Sequence, residues 1–256
     1  MDLYYERSGE GPGLLLVHGL GGSAVVWRPV IERLAASHDV VAIDLPGFGR
    51  SPSLPGGAAP TAANLAAAVT AFCDRLGLSR PDVAGNSLGA WVALEMAAKG
   101  AARSVCGISP AGLWRNPLGP RPFERQPLAR RLRPLVELLA RSRRARTALL
   151  RGAMAHPERV SPADARRLML DYIRSSGYAA ANREMRAAPF EHPGRVKVPV
   201  TLAWGEEDRL VGPPSPSRIP PGARVLRMPG WGHTPTWDDP EGVADLICEA
   251  GAQVGP

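Results

Sequence analysis

The chain has 256 residues, 45% of them hydrophobic but only 5% aromatic, with 28 Gly and 27 Pro. This is enough for one α/β domain with a full core, alone or with an inserted lobe, and the composition excludes a disordered or fibrous chain apart from the last few residues. The net charge of +7 is unevenly placed: residues 113–195 hold 18 Arg against 7 acidic residues, a segment charge of +11, which leaves −4 for the rest.

That basic stretch comes with no aromatic-interleaved platform, so nucleic acid is not an expected partner. No run of about 18 apolar residues is present, and residues 1–6 lack the basic and apolar regions of a secretory signal. The expectation is a cytoplasmic protein without an integral membrane segment. Cys73, Cys106 and Cys248 lie far apart in apolar contexts, with neither CxxC spacing nor a companion His pattern. They read as three reduced, buried thiols, with no metal site.

In chain order, residues 3–7 form a short strand and 8–13 a turn. Leu14-Leu15-Leu16-Val17 is an apolar run of the kind buried on both faces of a parallel sheet. It ends at His18-Gly19-Leu20-Gly21-Gly22-Ser23, where Ser23 caps a helix with Val26, Trp27, Val30, Ile31 and Leu34 on its apolar face. A strand at 40–43 runs into the turn-rich loop 44–51, and a helix over 61–76 is capped by Thr61 and stopped at Gly77. The apolar run 81–84 then meets Gly85-Asn86-Ser87-Leu88-Gly89, after which the period becomes helical. Ser87 therefore sits at a strand-to-helix turn, its Oγ projecting from the strand's end and the Leu88 N–H aimed outward from a helix N-terminus.

Residues 104–109 are a further strand, and the βα alternation implies a parallel sheet with right-handed crossovers. From 113 to 195 the alternation stops. Pro120, Pro122, Pro127, Pro134, Pro157 and Pro162 separate candidate helices, two of them within 128–150; another starts at Ser161 and Pro162, and Gly177 interrupts or ends it. Strands resume at 198–204 and 223–228, the first followed by Gly205-Glu206-Glu207-Asp208 and the second by Pro229-Gly230-Trp231-Gly232-His233. A closing helix over 240–252 buries Val243, Leu246 and Ile247.

Five stretches in this order, 14–23, 44–51, 85–89, 204–208 and 230–240, resemble the α/β-hydrolase family over nearly the whole chain. The resemblance implies a mostly parallel, doubly wound core made of residues 1–112 and 196–256, with 113–195 inserted as a helical cap. It also implies a nucleophile–acid–histidine order met by Ser87, Asp208 and His233. A serine hydroxyl needs an imidazole as base, and the imidazole needs a carboxylate to fix its tautomer. By the same resemblance the backbone N–H groups of Leu20 and Leu88 form the oxyanion hole, His18 shapes that loop, Asp44 is scaffold, and no cofactor or metal is required. Glu206, Glu207, Asp238 and Asp239 are rival acids near Asp208, which alone fits the family's W-G-x-x-D position.

A serine at position 87 argues against the haloalkane dehalogenases and epoxide hydrolases of this fold, which use aspartate there. Gly85-Asn86-Ser87-Leu88-Gly89 is similar both to carboxylesterases and to the meta-cleavage C–C bond hydrolases. The latter usually carry Ser-Gly after the His-Gly and Trp after the histidine, where this chain has Leu20-Gly21 and Thr234. The expectation is an esterase acting on a small, largely apolar ester, with a C–C hydrolase or a non-catalytic binding protein on the same scaffold as alternatives. In the cap, Leu132, Leu135, Val136, Leu138 and Leu139 are expected to line or support the acyl site, and Trp114, Phe123, Met154, Met169 and Tyr172 to adapt to substrates. The +11 charge either attracts an anionic substrate or is a solvated arginine-rich surface.

Overall fold

The computed structural model describes residues 1–119, 126–131 and 133–253. Seven strands, β1 (Tyr5–Ser8), β2 (Gly13–Val17), β3 (Asp39–Ile43), β4 (Asp82–Asn86), β5 (Ser104–Ile108), β6 (Val200–Gly205) and β7 (Arg224–Met228), form one sheet in the order β1-β3-β2-β4-β5-β6-β7. All neighbours are parallel except β1, which runs antiparallel to β3 with Tyr5 opposite Ile43. β4, which leads into Ser87, is thus the central strand.

Because successive side chains of a strand point to opposite faces, the apolar runs build two cores at once. Leu14 and Leu16 of β2 pack with α1 (Arg28–Ala35) and α9 (Pro240–Ala252) on one face. Leu15 and Val17 pack with α2 (Ala62–Arg75) and α3 (Leu88–Ala98) on the other. Residues 88–97 of α3 are all buried, as expected of a helix that is apolar all round and lies across the sheet's centre.

Between β5 and β6 the chain is helical: α4 (Gln126–Arg131), α5 (Val136–Arg141), α6 (Arg143–Leu150), α7 (Pro162–Arg174) and α8 (Tyr178–Ala187). Where two helices were expected in 128–150 the structure has three, because Pro134 confines the chain to a short 3₁₀ turn and Ser142 ends α5 while capping α6 through the Ala145 N–H. The helix is interrupted near Gly177, but by Ser175, which leaves helical geometry as the C-cap of α7, while Gly177 precedes α8; Ser161 caps α7 through the Asp164 N–H at 3.0 Å. The helix expected to follow Ser23 begins as a 3₁₀ turn over Ala24–Trp27 and becomes α-helical only at Arg28. Cys73 and Cys106 are buried, which pushes both thiols up to about 12; Cys248, also expected to be buried, is only half so. Among the described residues no helix is long and apolar enough to cross a membrane.

Burial here predicts a contrast. Leu16→Ala, in the fully buried strand β2, should cost about 2–5 kcal/mol in urea unfolding, because a cavity adds to the lost transfer energy. Leu138→Ala, at a side chain 68% exposed, should stay within about 0.5 kcal/mol of the parent.

Candidate active site

Ser87 lies between β4 and α3 at φ 55° and ψ −116°, a strained conformation for a residue with a side chain. The strain is held by close packing on both sides. A Cβ on Gly85 would lie 2.4 Å from the carbonyl oxygen of Gly89, and one on Gly89 only 2.1 Å from that of Val17. The turn is pinned by bonds from the Ser87 N–H to the Ile108 carbonyl and from the N–H groups of Ala90, Trp91 and Ala111 to the Ser87 carbonyl.

β6 and β7 are neighbours in the sheet, so the loops that follow them meet. His233 Nδ1 lies 2.8 Å from Asp208 Oδ2, with both side chains buried. The other carboxylate oxygen, Oδ1, accepts the N–H groups of Leu210 and Val211 at 2.8 and 3.0 Å. Burial pushes the Asp208 carboxyl up, but the hydrogen bond and charge of His233, with the two amides, outweigh it and hold it below its ordinary value. The Asp208 carboxylate fixes His233 with Nδ1–H facing it.

Ser87 is brought to His233 by its chain neighbour Asn86, whose Nδ2 donates to the His233 carbonyl at 2.7 Å and to that of Ile108 at 3.2 Å. Thr234 Oγ1 donates back to Asn86 Oδ1 at 3.3 Å. Among the described residues no hydrogen bond directly joins Ser87 to His233. The loop after β2 closes the third side, since a Cβ on Gly19 would be 3.0 Å from Ser87 Cβ. Neither the Leu20 N–H nor the Leu88 N–H donates to another group among the described residues.

His18, fully buried, holds that loop in shape. Its Nε2 accepts the Leu45 N–H at 2.9 Å, so Nδ1 carries the proton and donates to the Gly19 carbonyl at 2.7 Å. Burial pushes its pKa down and keeps it neutral. Asp44 ties two turns together, accepting the N–H of Ala24 at 2.7 Å and of Arg50 at 2.8 Å. The other acids stand apart from the imidazole. Glu206 and Glu207 are exposed, and Asp239 caps α9 and accepts the Trp231 indole N–H.

Asp238, weighed from the sequence only as a rival acid, has a different part. Its buried carboxylate accepts three amide N–H groups: Gly232 at 2.8 Å, Ala155 at 3.1 Å and His156 at 2.7 Å. It ties the loop bearing His233 to the helical segment more than 75 positions earlier in the chain, where Thr234 N–H also donates to the Ala153 carbonyl at 2.7 Å. Nothing local in the sequence announces this, because the partners are backbone groups of a distant loop.

Sheet order, strained serine turn and facing Asp–His loops agree with a family model, the alpha/beta hydrolase family, matched over residues 14–246. The chain belongs to the alpha/beta hydrolase family. Among the relatives it resembles is the dihydrolipoyllysine-residue acetyltransferase component of the acetoin cleaving system of Cupriavidus necator, 31% identical over 249 residues. The match covers 90% of this chain and 61% of that protein, so the chain spans less than two thirds of that relative's length. A second is the epoxide hydrolase EphH of Mycobacterium tuberculosis, 30% identical over 191 residues and covering 68% of this chain and 87% of that one. Among solved structures, a thermophilic esterase from Thermogutta terrifontis superposes with a TM-score of 0.71 at 25% identity, covering 99% of this chain and 94% of the other.

In this family member the helical segment also touches the loop after β2. Ser23 Oγ donates to Asp171 Oδ2 of α7 at 2.6 Å, and Tyr172 and Tyr178, edge to face with centroids 5.1 Å apart, press on Gly21. Trp114 stands edge-on to Trp91, Met154 is buried over the His233 loop, and Met169 is packed between two apolar clusters. Val136 packs with Leu170 and Ile173, and Leu139 is half-buried. Leu135 and Leu138 do not line the acyl site as expected. α5 buries Val136 and Ala140 one turn apart, and the helical period therefore turns Leu138 outward. Leu132 and Phe123 lie outside the described residues.

Two outcomes are expected. Asp238→Ala leaves one buried and two half-buried amides without an acceptor and should lower stability by about 3 kcal/mol in urea unfolding, against about 1 kcal/mol for Asp245→Ala on the surface. The depressed Asp208 contributes stability that is fully present above its unfolded pKa of about 3.9 and is lost as pH falls through the lower native value. Asp208→Asn should therefore flatten that part of the acid limb in unfolding midpoints taken from about pH 5 down to about pH 2.

Proposed function

We propose that this protein is a serine hydrolase that cleaves a carboxylic ester through an acyl-enzyme, with Ser87 as nucleophile, His233 as general base and acid, and Asp208 as orienter. The observation that carries the reading is the buried 2.8 Å contact of Asp208 with His233 Nδ1, which leaves Nε2 as the free basic nitrogen on a loop that Asn86 ties to the strained turn of Ser87.

Ser87 Oγ attacks the ester carbonyl carbon as its proton passes to His233 Nε2. The oxyanion that forms takes hydrogen bonds from the backbone N–H groups of Leu20 and Leu88, neither of which has another acceptor among the described residues. The tetrahedral species collapses with loss of the alcohol, to which His233 returns the proton. A water then attacks the acyl carbon with His233 again as base, and Ser87 is released. Asp208 stays ionised throughout and stabilises the imidazolium, in keeping with its depressed pKa. The helices from 113 to 195 act as a cap: through Asp171 at the Leu20 loop and Asp238 at the His233 loop, each half of the machinery is fastened to it.

The reading of ester over epoxide chemistry rests on the side chain at the elbow. The relative named as an epoxide hydrolase shares the fold, but an epoxide is opened in this family by a carboxylate nucleophile, and position 87 offers a hydroxyl. The cap supplies an apolar and aromatic cover, with Met154, Tyr172 and Tyr178 near the site, which suits a small, largely apolar acyl or alcohol group.

Ser87→Ala is expected to lower kcat for a chromogenic short-chain ester by several orders of magnitude with the circular dichroism unchanged, and a serine-directed phosphonate should label Ser87 alone. Parental turnover in that variant, or label on another residue, would refute the assignment. Asp208→Asn should cost about 10⁴ in kcat, whereas a loss below about tenfold would move the orienting role to another acid.

A further inference from the structure

We infer that the outer face of the cap, around α4 to α6, is a docking surface for an anionic lipid bilayer. Eight large apolar side chains are conspicuously exposed among the described residues, and four of them fall within residues 126–151: Leu128 (51%), Leu135 (46%), Leu138 (68%) and Leu149 (55%). The same 26 residues contain eight arginines and a single acid, Glu137. Exposed leucines alternating with arginines on short surface helices are the arrangement that rests in a bilayer interface, with the leucines entering the acyl boundary and the guanidinium groups staying at the headgroups.

Arginines without a partner are concentrated here, although Arg80, Arg209 and Arg227 on the core are likewise exposed and without a partner among the described residues. On the core, Arg7, Arg33 and Arg224 each face a carboxylate, and Arg28 reaches Asp164 of α7. Within 126–151, Arg130 and Arg146 are engaged by backbone carbonyls. Arg131, Arg133 and Arg141 are exposed and have no hydrogen-bond or ion-pair partner among the described residues. The same holds for Arg143, Arg144 and Arg151, which line an open basin of ≈ 570 Å³ on α6. Glu158, the one acid at its rim, is engaged by His156 at 3.3 Å. A buried Arg146 sets the phase of α6: Arg144, Ala148 and Arg151 then fall on the side of the helix opposite to it and point outward.

The charge selects the occupant. A second copy of this face would bring two segments of +11 together, and like charges repel. Residues 126–151 contain no aromatic side chain, which removes base stacking by a single-stranded nucleic acid and the aromatic anchors of protein interfaces. An anionic leaflet meets both features, since its surface potential attracts unpaired basic side chains over roughly a Debye length of 8 Å while its acyl boundary accepts the leucines. This inference does not rest on the esterase reading, and its test reads binding alone.

The test is vesicle co-sedimentation of the whole chain with phosphatidylcholine alone and with an equimolar mixture of phosphatidylcholine and phosphatidylglycerol, at low and high salt. The parent should partition onto the anionic vesicles at least about tenfold better than onto the neutral ones, and lose most of that at high salt. Arg143→Gln/Arg144→Gln/Arg151→Gln should lower anionic partition about tenfold or more. Leu135→Ser/Leu138→Ser should lower it at low salt too, with both variants keeping the parent's circular dichroism and thermal midpoint. Failure to bind anionic vesicles, or equal binding to neutral ones, would overturn the inference. So would leucine variants that bind like the parent, or parent retained on immobilised poly-glutamate as strongly as on the vesicles; either marks a general polyanion patch.

Discussion

The structure turns on the packing of one strained turn against the central strand of its sheet. Ser87 sits at a positive φ that costs of order 1–3 kcal/mol, and it can do so because Gly85 and Gly89 let α3 come against β4 and the end of β2. A methyl group at Gly89 would overlap the Val17 carbonyl, so the helix, the serine and the loop that begins at His18 are placed as a unit. The sheet supplies the rigidity this requires: β4 is flanked by β2 and β5, and α3 is buried along nearly its whole length.

Around that turn, buried carboxylates organise the loops. A loop that leaves the end of a strand carries backbone N–H groups with no ladder partner, and one carboxylate can accept several of them. Asp44 gathers the amides of Ala24 and Arg50, Asp208 those of Leu210 and Val211, and Asp238 those of Gly232, Ala155 and His156. Only Asp208 also meets an imidazole. Its two oxygens divide the work, one fixing its own loop and the other His233, so the direction of the imidazole is inherited from the backbone of the neighbouring strand's loop. Asp238 extends the same physics across the molecule, coupling the position of the helical segment between β5 and β6 to that of the His233 loop.

The helical segment between β5 and β6 joins two environments. Its inner side is tied to the core by Asp171, by the Tyr172–Tyr178 pair over Gly21 and by the Gly177 N–H donating to the Gly47 carbonyl. Its outer side combines unpaired arginines with leucines in water, a pattern that a solvated surface alone does not require.

The sequence by itself determined what is local or periodic. The change from an apolar strand period to a helical one at residues 85–89 located the serine turn, the βα alternation determined a parallel sheet, and proline and serine positions marked most helix starts. The order of Ser87, Asp208 and His233 was legible because each follows a strand. Contacts between distant backbones were not. That Asn86 holds the His233 carbonyl and that Asp238 faces amides of the helical segment between β5 and β6 were decided by tertiary packing, which sets loops side by side irrespective of their separation in sequence. Leu135 and Leu138 show the same limit from the other direction. Their apolar character was plain, but which face of α5 turns inward was settled by Val136 and Ala140 packing in the cap, a choice of helix phase that only tertiary contacts make.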